Sequence, residues 1–277
     1  MQYGVVKVEE DGSARFLVPS DRNIFFQVLD SNYMAIQTER TFVNFMPGEI
    51  RSCVGCHESQ SHTPETAGRR TPMAMNRPAA VPGPQPGEVS GRRTLSYAAD
   101  VQPVWDKYCI KCHSGEHPAG KLNLSGELTN LFNTSYEELV PQRKWWKRIY
   151  IDRGIVGKTI GENHMKVDNI CYLPAKSLGS HTSVLVSMLT QGKVVLENSK
   201  DYARAKKLAL KHKDIRLSKE ELLKITNWID INCQYYGSYY GKRNLRYKEY
   251  DDFRKEYDFE TAISTTAPAP AVADKED

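Results

Sequence analysis

The feature that most constrains this chain is a five-residue pattern, Cys-x-x-Cys-His, that occurs twice. The first copy is Cys53-Val-Gly-Cys56-His57, and the second is Cys109-Ile-Lys-Cys112-His113. Two cysteines three positions apart lie on one side of a helical turn, so both thiols can reach one planar group. The pattern is typical of haem c attachment, in which the thiols form thioethers with the porphyrin and the histidine binds the iron.

Two other kinds of site use paired cysteines, and both fit this sequence less well. Zinc ribbons place their pairs about 15 to 20 residues apart, whereas a longer, Pro-rich stretch separates the pairs here. A thioredoxin-type redox site needs one pair near a βαβ pattern, and the sequence shows none. We therefore predict two covalently bound haem c groups. The thioether links are Cys53, Cys56, Cys109 and Cys112, and the proximal iron ligands are His57 and His113.

The charge balance and the motifs together indicate a compartment and a class of partner. The 277 residues carry 38 basic and 34 acidic side chains, a formal charge of +4 that gives no reason to expect a nucleic-acid partner. No apolar run reaches the roughly 18 residues of a transmembrane segment. Haem is attached to this motif outside the cytoplasm, so we expect an extracytoplasmic location, the periplasm or an equivalent compartment. The opening residues do not read as a signal peptide, which favours the C-terminal part of a longer secreted protein.

The chain reads as an α+β protein with a clear change of character along its length. Residues 1–62 hold short β-branched and aromatic runs between turn clusters, which predicts a small β-sandwich-like unit ending in the first motif. Residues 63–93 form a Pro-rich linker, and residues 94–245 form an all-α, cytochrome-c-like domain with the second motif. Residues 246–277 read as a charged, disordered tail.

Four helices are predicted in the second unit. The clearest begins at Ser218, which can form a capping box with Glu221. Its apolar stripe passes through Ile225 and Ile229, with Trp228 beside it. The other three are a helix capped by Asp100 with Pro103 in its first turn, a helix over Thr182 to Gln191, and a basic helix over Lys200 to Lys211.

The sixth ligand of the second haem is left with several candidates. A distal histidine gives a low-potential electron-transfer centre, while a methionine raises the potential. We favour His212, which closes the basic helix, over His181, which precedes another; a capping or surface role is the ordinary alternative for each. The remaining candidates in this unit are His117, His164 and Met165.

The first haem has only His62 nearby, and the simplest interpretation of His62 is a loop residue. Without a strong sixth ligand, this haem could bind small molecules such as NO.

Electron transfer with redox partner proteins is the leading function. The alternative is an oxidoreductase that acts on small nitrogen compounds at the first haem. Catalytic residues are not identified; the charged neighbours, whose default role is solvated surface, are Arg40, Glu49, Arg51 and Glu58.

Two cysteines lie outside the motifs, Cys171 and Cys233. In an oxidising compartment they could form a disulfide, and two buried thiols are the alternative. The sequence leaves both possibilities open.

Several segments resemble one family, the hydrazine synthase alpha subunits and related planctomycete-type dihaem cytochromes. Asp11-Gly-Ser-Ala-Arg-Phe-Leu-Val-Pro and Pro47-Gly-Glu-Ile-Arg-Ser-Cys-Val-Gly-Cys-His-Glu resemble the middle haem domain of that subunit. Val101-Gln-Pro-Val-Trp-Asp-Lys-Tyr-Cys and Leu217-Ser-Lys-Glu-Glu resemble its C-terminal cytochrome domain. The resemblance implies that a β-propeller precedes these domains in the whole protein.

The resemblance also carries expectations for each haem. It implies a bis-histidine second haem that relays electrons, and Lys211-His-Lys-Asp-Ile-Arg-Leu matches the family segment that supplies the distal histidine, here His212. A charged insertion, about Val195 to Lys207, precedes that match. In the family a tyrosine after the proximal histidine ligates the first haem, whereas this chain has Glu58-Ser-Gln-Ser-His in that place.

Overall fold

The computed structural model describes residues 2–39, 42–55, 71–89, 91, 93–140, 150–152, 154–160 and 174–237. Within these residues the protein is α+β, with two small antiparallel hairpins and five α-helices. The helices are α1 (Gln102–Tyr108), α2 (Thr134–Leu139), α3 (Val184–Leu189), α4 (Ser199–Lys211) and α5 (Lys219–Asp230). The strands are β1 (Gln27–Leu29), β2 (Ala35–Thr38), β3 (Tyr150–Asp152) and β4 (Lys158–Ile160).

The N-terminal unit is less regular than the predicted β-sandwich. Within the described residues its only ladder is the β1–β2 hairpin, and the other β-rich runs make single bridges, such as Val5 with Gly83 and Phe16 with Ala80. The reason is the partner segment: Pro82 and Pro84 flank Gly83, and a proline has no N–H with which to extend a ladder. A sandwich of full strands is therefore not what these residues form.

The segment predicted as a linker lies against the N-terminal unit where it is described. Besides the bridges to Ala80 and Gly83, Arg93 bridges Gln2, and the N–H of Met73 bonds the Asp11 carboxylate at 2.8 Å. The domain boundaries drawn from the sequence remain predictions. The tail, 246–277, lies outside the described residues.

The second unit is mainly helical but not all-α, because it contains the β3–β4 hairpin. The sequence does contain a strand signal for this hairpin, but the helical pattern of the surrounding residues led to an all-α prediction. β-branched and aromatic residues, Tyr150-Ile151 and Thr159-Ile160, stand on either side of Gly154 and Gly157, both with positive φ.

All four predicted helices are confirmed, with changes at their ends. The capping box of α5 forms between Ser218 and Glu221. Helix α3 begins after Ser183, whose side chain accepts from the Val186 N–H. Asp100 does not cap α1, because its carboxylate bonds backwards to the Ser96 N–H at 2.8 Å and pairs with Arg93.

One core joins the helices and reaches into the N-terminal hairpin. Trp105 of α1 and Trp228 of α5 are almost fully buried in it, and Tyr97 lies 5.0 Å from Trp228, centroid to centroid. Met34, in the turn between β1 and β2, belongs to the same cluster.

In the described part of the chain no helix is long and apolar enough to cross a membrane.

The hairpin is fastened to the helical unit at the end of α5. The buried carboxylate of Asp230 accepts hydrogen bonds from the N–H of Ala35 in β2 at 2.9 Å and from the N–H of Ser180 at 2.7 Å. Gly179 has φ of +67°, and a Cβ there would collide with Asp230. This position therefore needs glycine both for its backbone and for space.

Candidate haem-binding sites

The second Cys-x-x-Cys-His motif continues directly from α1. Its first cysteine donates its N–H to the Trp105 carbonyl at 2.8 Å, as a helical residue would. The N–H groups of Cys112 and His113 both bond the Cys109 carbonyl, at 3.1 and 3.0 Å. One compact turn thus holds both thiols and the histidine, and the buried Trp105 anchors it to the core.

The chain after the motif doubles back and fixes the ring of His113. The Leu124 N–H bonds the His113 carbonyl at 2.7 Å, which brings residue 122 alongside the imidazole. Nδ1 of His113 lies 3.2 Å from the Leu122 carbonyl oxygen. A carbonyl can only accept, so Nδ1 carries the hydrogen and Nε2 keeps its lone pair for a metal.

A backbone carbonyl also contacts Nδ1 of His212, as it does for His113. His212 caps the C-terminus of α4, and its Nδ1 lies 2.8 Å from the carbonyl oxygen of Leu208, one turn earlier. Nδ1 must again be the donor, which leaves Nε2 unprotonated in the neutral ring. A ring nitrogen tied to a backbone carbonyl is the usual support of a metal-binding histidine.

The two imidazoles lie close together, with nearly parallel planes. Their ring centroids are 6.0 Å apart and their planes differ by 15°. Two metal–nitrogen bonds of about 2 Å each, plus the distance from nitrogen to ring centre on both sides, give a separation of roughly 6 Å for histidines that share one metal. The residues present therefore fit an iron held between His113 and His212.

Half-buried apolar side chains near the two histidines in the sequence pack on the core. Tyr108, Leu122, Leu208 and Ile215 are half-buried and pack on the main core cluster, and the first thiol of the motif, Cys109, packs with them. Burial raises the pKa of the Cys109 thiol to about 11, with the neighbouring Cys112 adding to the effect. Reactive Cys-x-x-Cys pairs have lowered pKa values instead, so the raised pKa of Cys109 gives no support to a thioredoxin-like site.

A zinc site also finds no support in the described residues. Structural zinc needs four ligands, and nowhere in the described ranges do three or more His, Cys, Asp or Glu side chains gather to hold a metal ion. A haem needs only the two axial histidines and the two thiols from this chain.

The structure places His181 away from the pair. This ring is 9% exposed, and its Nε2 lies 3.5 Å from Oδ2 of Asp30, in the turn of the N-terminal hairpin. Burial lowers the pKa of His181, although Asp30 opposes the shift. His117 is exposed, and His164 and Met165 lie outside the described residues.

The first motif is described only in part. Cys53 is exposed, while Cys56, His57 and His62 lie outside the described residues. Large apolar side chains near it in the sequence are strongly exposed, Ile50 at 94%, and they recur every four residues: Phe42, Met46, Ile50 and Val54.

The described charged candidates near the first motif neutralise each other. Arg51 and Glu49 form an ion pair with a 2.5 Å separation, and the Arg51 guanidinium lies 5.0 Å from the centre of the Phe45 ring. The hydrogen bond from the Met46 N–H, followed by that from Arg51, lowers the pKa of Glu49. Their contacts are those of a turn. Arg40 and Glu58 are outside the described residues.

The question of a disulfide falls partly outside the structure. Cys233 is buried, and its carbonyl accepts from the Tyr136 hydroxyl at 2.7 Å, while Cys171 is not among the described residues.

Sequence reasoning missed the cluster of Asp30, His181 and Asp230. A histidine directly after Gly179-Ser180 was visible, but nothing in the sequence brings it to the hairpin.

Comparison with known proteins gives a consistent result. The family model of the hydrazine synthase alpha subunit middle domain matches residues 2–58. The hydrazine synthase subunit alpha of Kuenenia stuttgartiensis is 27% identical, over 50% of this chain and 24% of its own length. This chain thus spans about a quarter of that relative. A solved Kuenenia stuttgartiensis hydrazine synthase chain aligns with a TM-score of 0.46 at 20% identity, covering 78% of this chain and 30% of that one. The family-model match and the sequence identity to that subunit confirm the resemblance to hydrazine synthase alpha subunits.

Proposed function

We propose that this chain is a dihaem c-type cytochrome unit whose second haem transfers electrons, bound to Cys109 and Cys112 and ligated by His113 and His212. The observation that carries the proposal is the histidine pair, with near-parallel rings 6.0 Å apart. Each ring has its Nδ1 engaged by a backbone carbonyl, so both leave Nε2 available for iron.

A haem held between two imidazoles supplies one-electron chemistry with no site for substrate. The chain's own residues keep that geometry fixed. The Leu122 and Leu208 carbonyls orient the two rings, and hydrogen bonds of this kind make an imidazole a stronger donor to a metal, which favours a low reduction potential. Leu122 and Leu208 themselves pack on the apolar core, which holds their carbonyls in place.

The resemblance and the two motifs also support a proposal for the location of the chain and for the larger protein to which it belongs. We place the chain outside the cytoplasm, as part of a larger secreted haem protein in which a β-propeller precedes these domains. A first haem c at Cys53, Cys56 and His57 would cover the exposed apolar side chains near Cys53. Redox partner proteins would deliver or remove the electrons that the second haem carries.

The second candidate is an oxidoreductase acting on small nitrogen compounds at the first haem. Two observations favour it: the similarity to a hydrazine synthase subunit, and a first motif whose described cysteine is exposed. In this second candidate function the second haem supplies electrons to the first. Both candidate functions therefore use the same histidine pair.

Carbon monoxide binding to the reduced dihaem protein tests the proposal. A haem with two histidine ligands stays low-spin and does not bind CO, so at most half of the Soret absorbance should shift. A shift of half of the Soret absorbance means that the first haem is open and favours the oxidoreductase. No shift removes that candidate and leaves electron transfer alone. A shift of the whole band would contradict the proposed ligation of the second haem.

A further inference from the structure

Helix α4 carries a stripe of positive charge that nothing in the described structure neutralises. Lys200, Arg204, Lys207 and Lys211 are all exposed and are spaced by four, three and four residues, so they share one face of the helix. We call these four residues the basic stripe. In the described ranges none of the four takes part in an ion pair.

The opposite face of α4 fixes the direction of the stripe. Ala205 and Ala209 are buried there, and Ala205 packs with Val184 of α3 and Leu196. Small side chains allow the helices to approach closely and leave little freedom to rotate. The basic stripe therefore faces solvent.

The stripe has a cost within the chain. Like charges at i,i+4 and i,i+3 destabilise a helix by a few tenths of a kcal/mol per pair, and this helix contains three such pairs: Lys200 with Arg204, Arg204 with Lys207, and Lys207 with Lys211. In the part described none of the four has an acidic ion-pair partner, and only Lys211, in the last turn, gains from the helix dipole. Such an arrangement suits a negatively charged partner.

The position of the stripe identifies the kind of partner. Its last member, Lys211, immediately precedes His212, whose ring is anchored to the same helix at Leu208. Leu210 is 76% exposed beside it and offers an apolar contact. From Lys200 to Lys211 the helix rises only about 16 Å, which suits the small interfaces of transient electron-transfer complexes.

We propose that the basic stripe is the docking face for an acidic electron-carrier protein, which it brings to the His212 side of the second haem. This inference rests on the proposed function, because it needs a redox haem at His113 and His212. In the transfer, one electron leaves the carrier and reduces ferric iron to ferrous, with no bond made or broken.

Reduction of the oxidised dihaem protein by flavodoxin hydroquinone, an acidic protein donor, tests the inference. The hydroquinone becomes the semiquinone as it gives one electron to the low-spin haem, followed by stopped-flow absorbance. We expect the rate to fall with added salt, and the charge-reversal variant K207E/K211E to be about tenfold slower at low ionic strength. The charge-neutral K207Q/K211Q should lie between. Lys, Gln and Glu have similar helix propensities, so α4 should persist.

The matched control is K7E/K176E, which makes the same change in net charge at two exposed lysines outside α4. Its rate should equal that of the unaltered protein. Equal slowing in both variants would mean that total charge alone matters and would overturn the inference. An unchanged rate in K207E/K211E would also overturn the inference. If that variant keeps its rate but no longer binds phosphatidylserine vesicles, the stripe is a membrane contact and not a protein docking face. If the unaltered protein shows no low-spin haem, it is the proposed function that fails.

Discussion

At the scale of single residues, two backbone carbonyls determine what His113 and His212 can do. The oxygens of Leu122 and Leu208 each hold an Nδ1–H, at 3.2 and 2.8 Å. Both rings are thereby fixed in the tautomer that presents Nε2. An imidazole oriented in this way can bind a metal through Nε2, as the proposed haem iron requires.

Removing the His212 ring should open one axial position. In His212→Ala we expect the second haem to change from low-spin to high-spin, and to bind CO, while the first haem is unaffected. Optical and electron paramagnetic resonance spectra measure the change, and added imidazole should restore the low-spin signal.

His181→Ala is the matched control, since His181 was the other histidine that the sequence offered. Its side chain contacts Asp30 and not the pair, so this variant should keep the low-spin haem. A low-spin spectrum that survives in His212→Ala and disappears in His181→Ala would reverse the ligand assignment.

The sequence predicted part of this site for a clear physical reason. The Cys109–His113 motif is local, so its chemistry can be read from adjacent residues. The preference for His212 over His181 came first from its place at the end of a helix and was then supported by the resemblance. No short sequence pattern shows which distant histidine the fold brings to His113. The anchoring by Leu122 could not be predicted at all, since it depends on where the chain turns after the motif.

At the scale of elements, α5 shows how much a local signal determines. Ser218 accepts from the Glu221 N–H at 3.2 Å, and Glu221 accepts from the Ser218 N–H at 2.8 Å. The same carboxylate also binds Lys107 and Tyr108 of α1, at 2.7 and 2.8 Å. The start of α5 is therefore linked to the helix that leads into the second motif.

Loss of the cap should destabilise the protein measurably. Ser218→Ala leaves the Glu221 N–H without its acceptor, and we expect the free energy of unfolding to fall by about 1 kcal/mol. Denaturant titration of the haem-loaded protein measures it. Ser218→Asp keeps an acceptor at the N-cap and should stay close to the unaltered protein. Equal stability of the Ala and Asp variants would show that the cap is not what stabilises α5.

The strands illustrate the opposite case. Val5–Val8 and Ser13–Val18 have the composition of strands, but regular pairing also needs a partner that can donate hydrogen bonds. Their partners are residues 80 and 83, in a Pro-rich stretch that the sequence pattern separates from the β-unit. Strand formation depends on both members of a pair, and only one was recognisable.

At the scale of the whole molecule, Asp230 connects the hairpin and the helical unit. Its carboxylate is buried between Ala35 and Ser180, and His181 and Asp30 lie nearby. Burial raises the pKa of Asp230 to about 7, against the lowering effect of its hydrogen bonds, and Asp30 adds to the rise. The folded protein therefore holds a proton here that the unfolded chain has lost above its ordinary pKa of 3.8.

This shift predicts a pH dependence with a definite sign. The stabilising contribution of Asp230 is complete below about pH 4 and is lost as pH rises through 7, because the folded state binds more protons than the unfolded state over that range. We expect the free energy of unfolding of the unaltered protein, relative to Asp230→Asn, to fall between pH 4 and pH 7. Parallel curves, or a difference that grows with pH, would contradict the raised pKa.

The proposed function of the whole molecule requires that two haems are joined covalently to two cysteine pairs. Intact-mass measurement of the denatured, fully matured protein tests this directly, because thioether links survive unfolding. We predict the chain mass plus two haems, with one haem lost in C53A/C56A and one in C109A/C112A. A mass equal to the unmodified chain, or the release of zinc in place of haem iron, would contradict it.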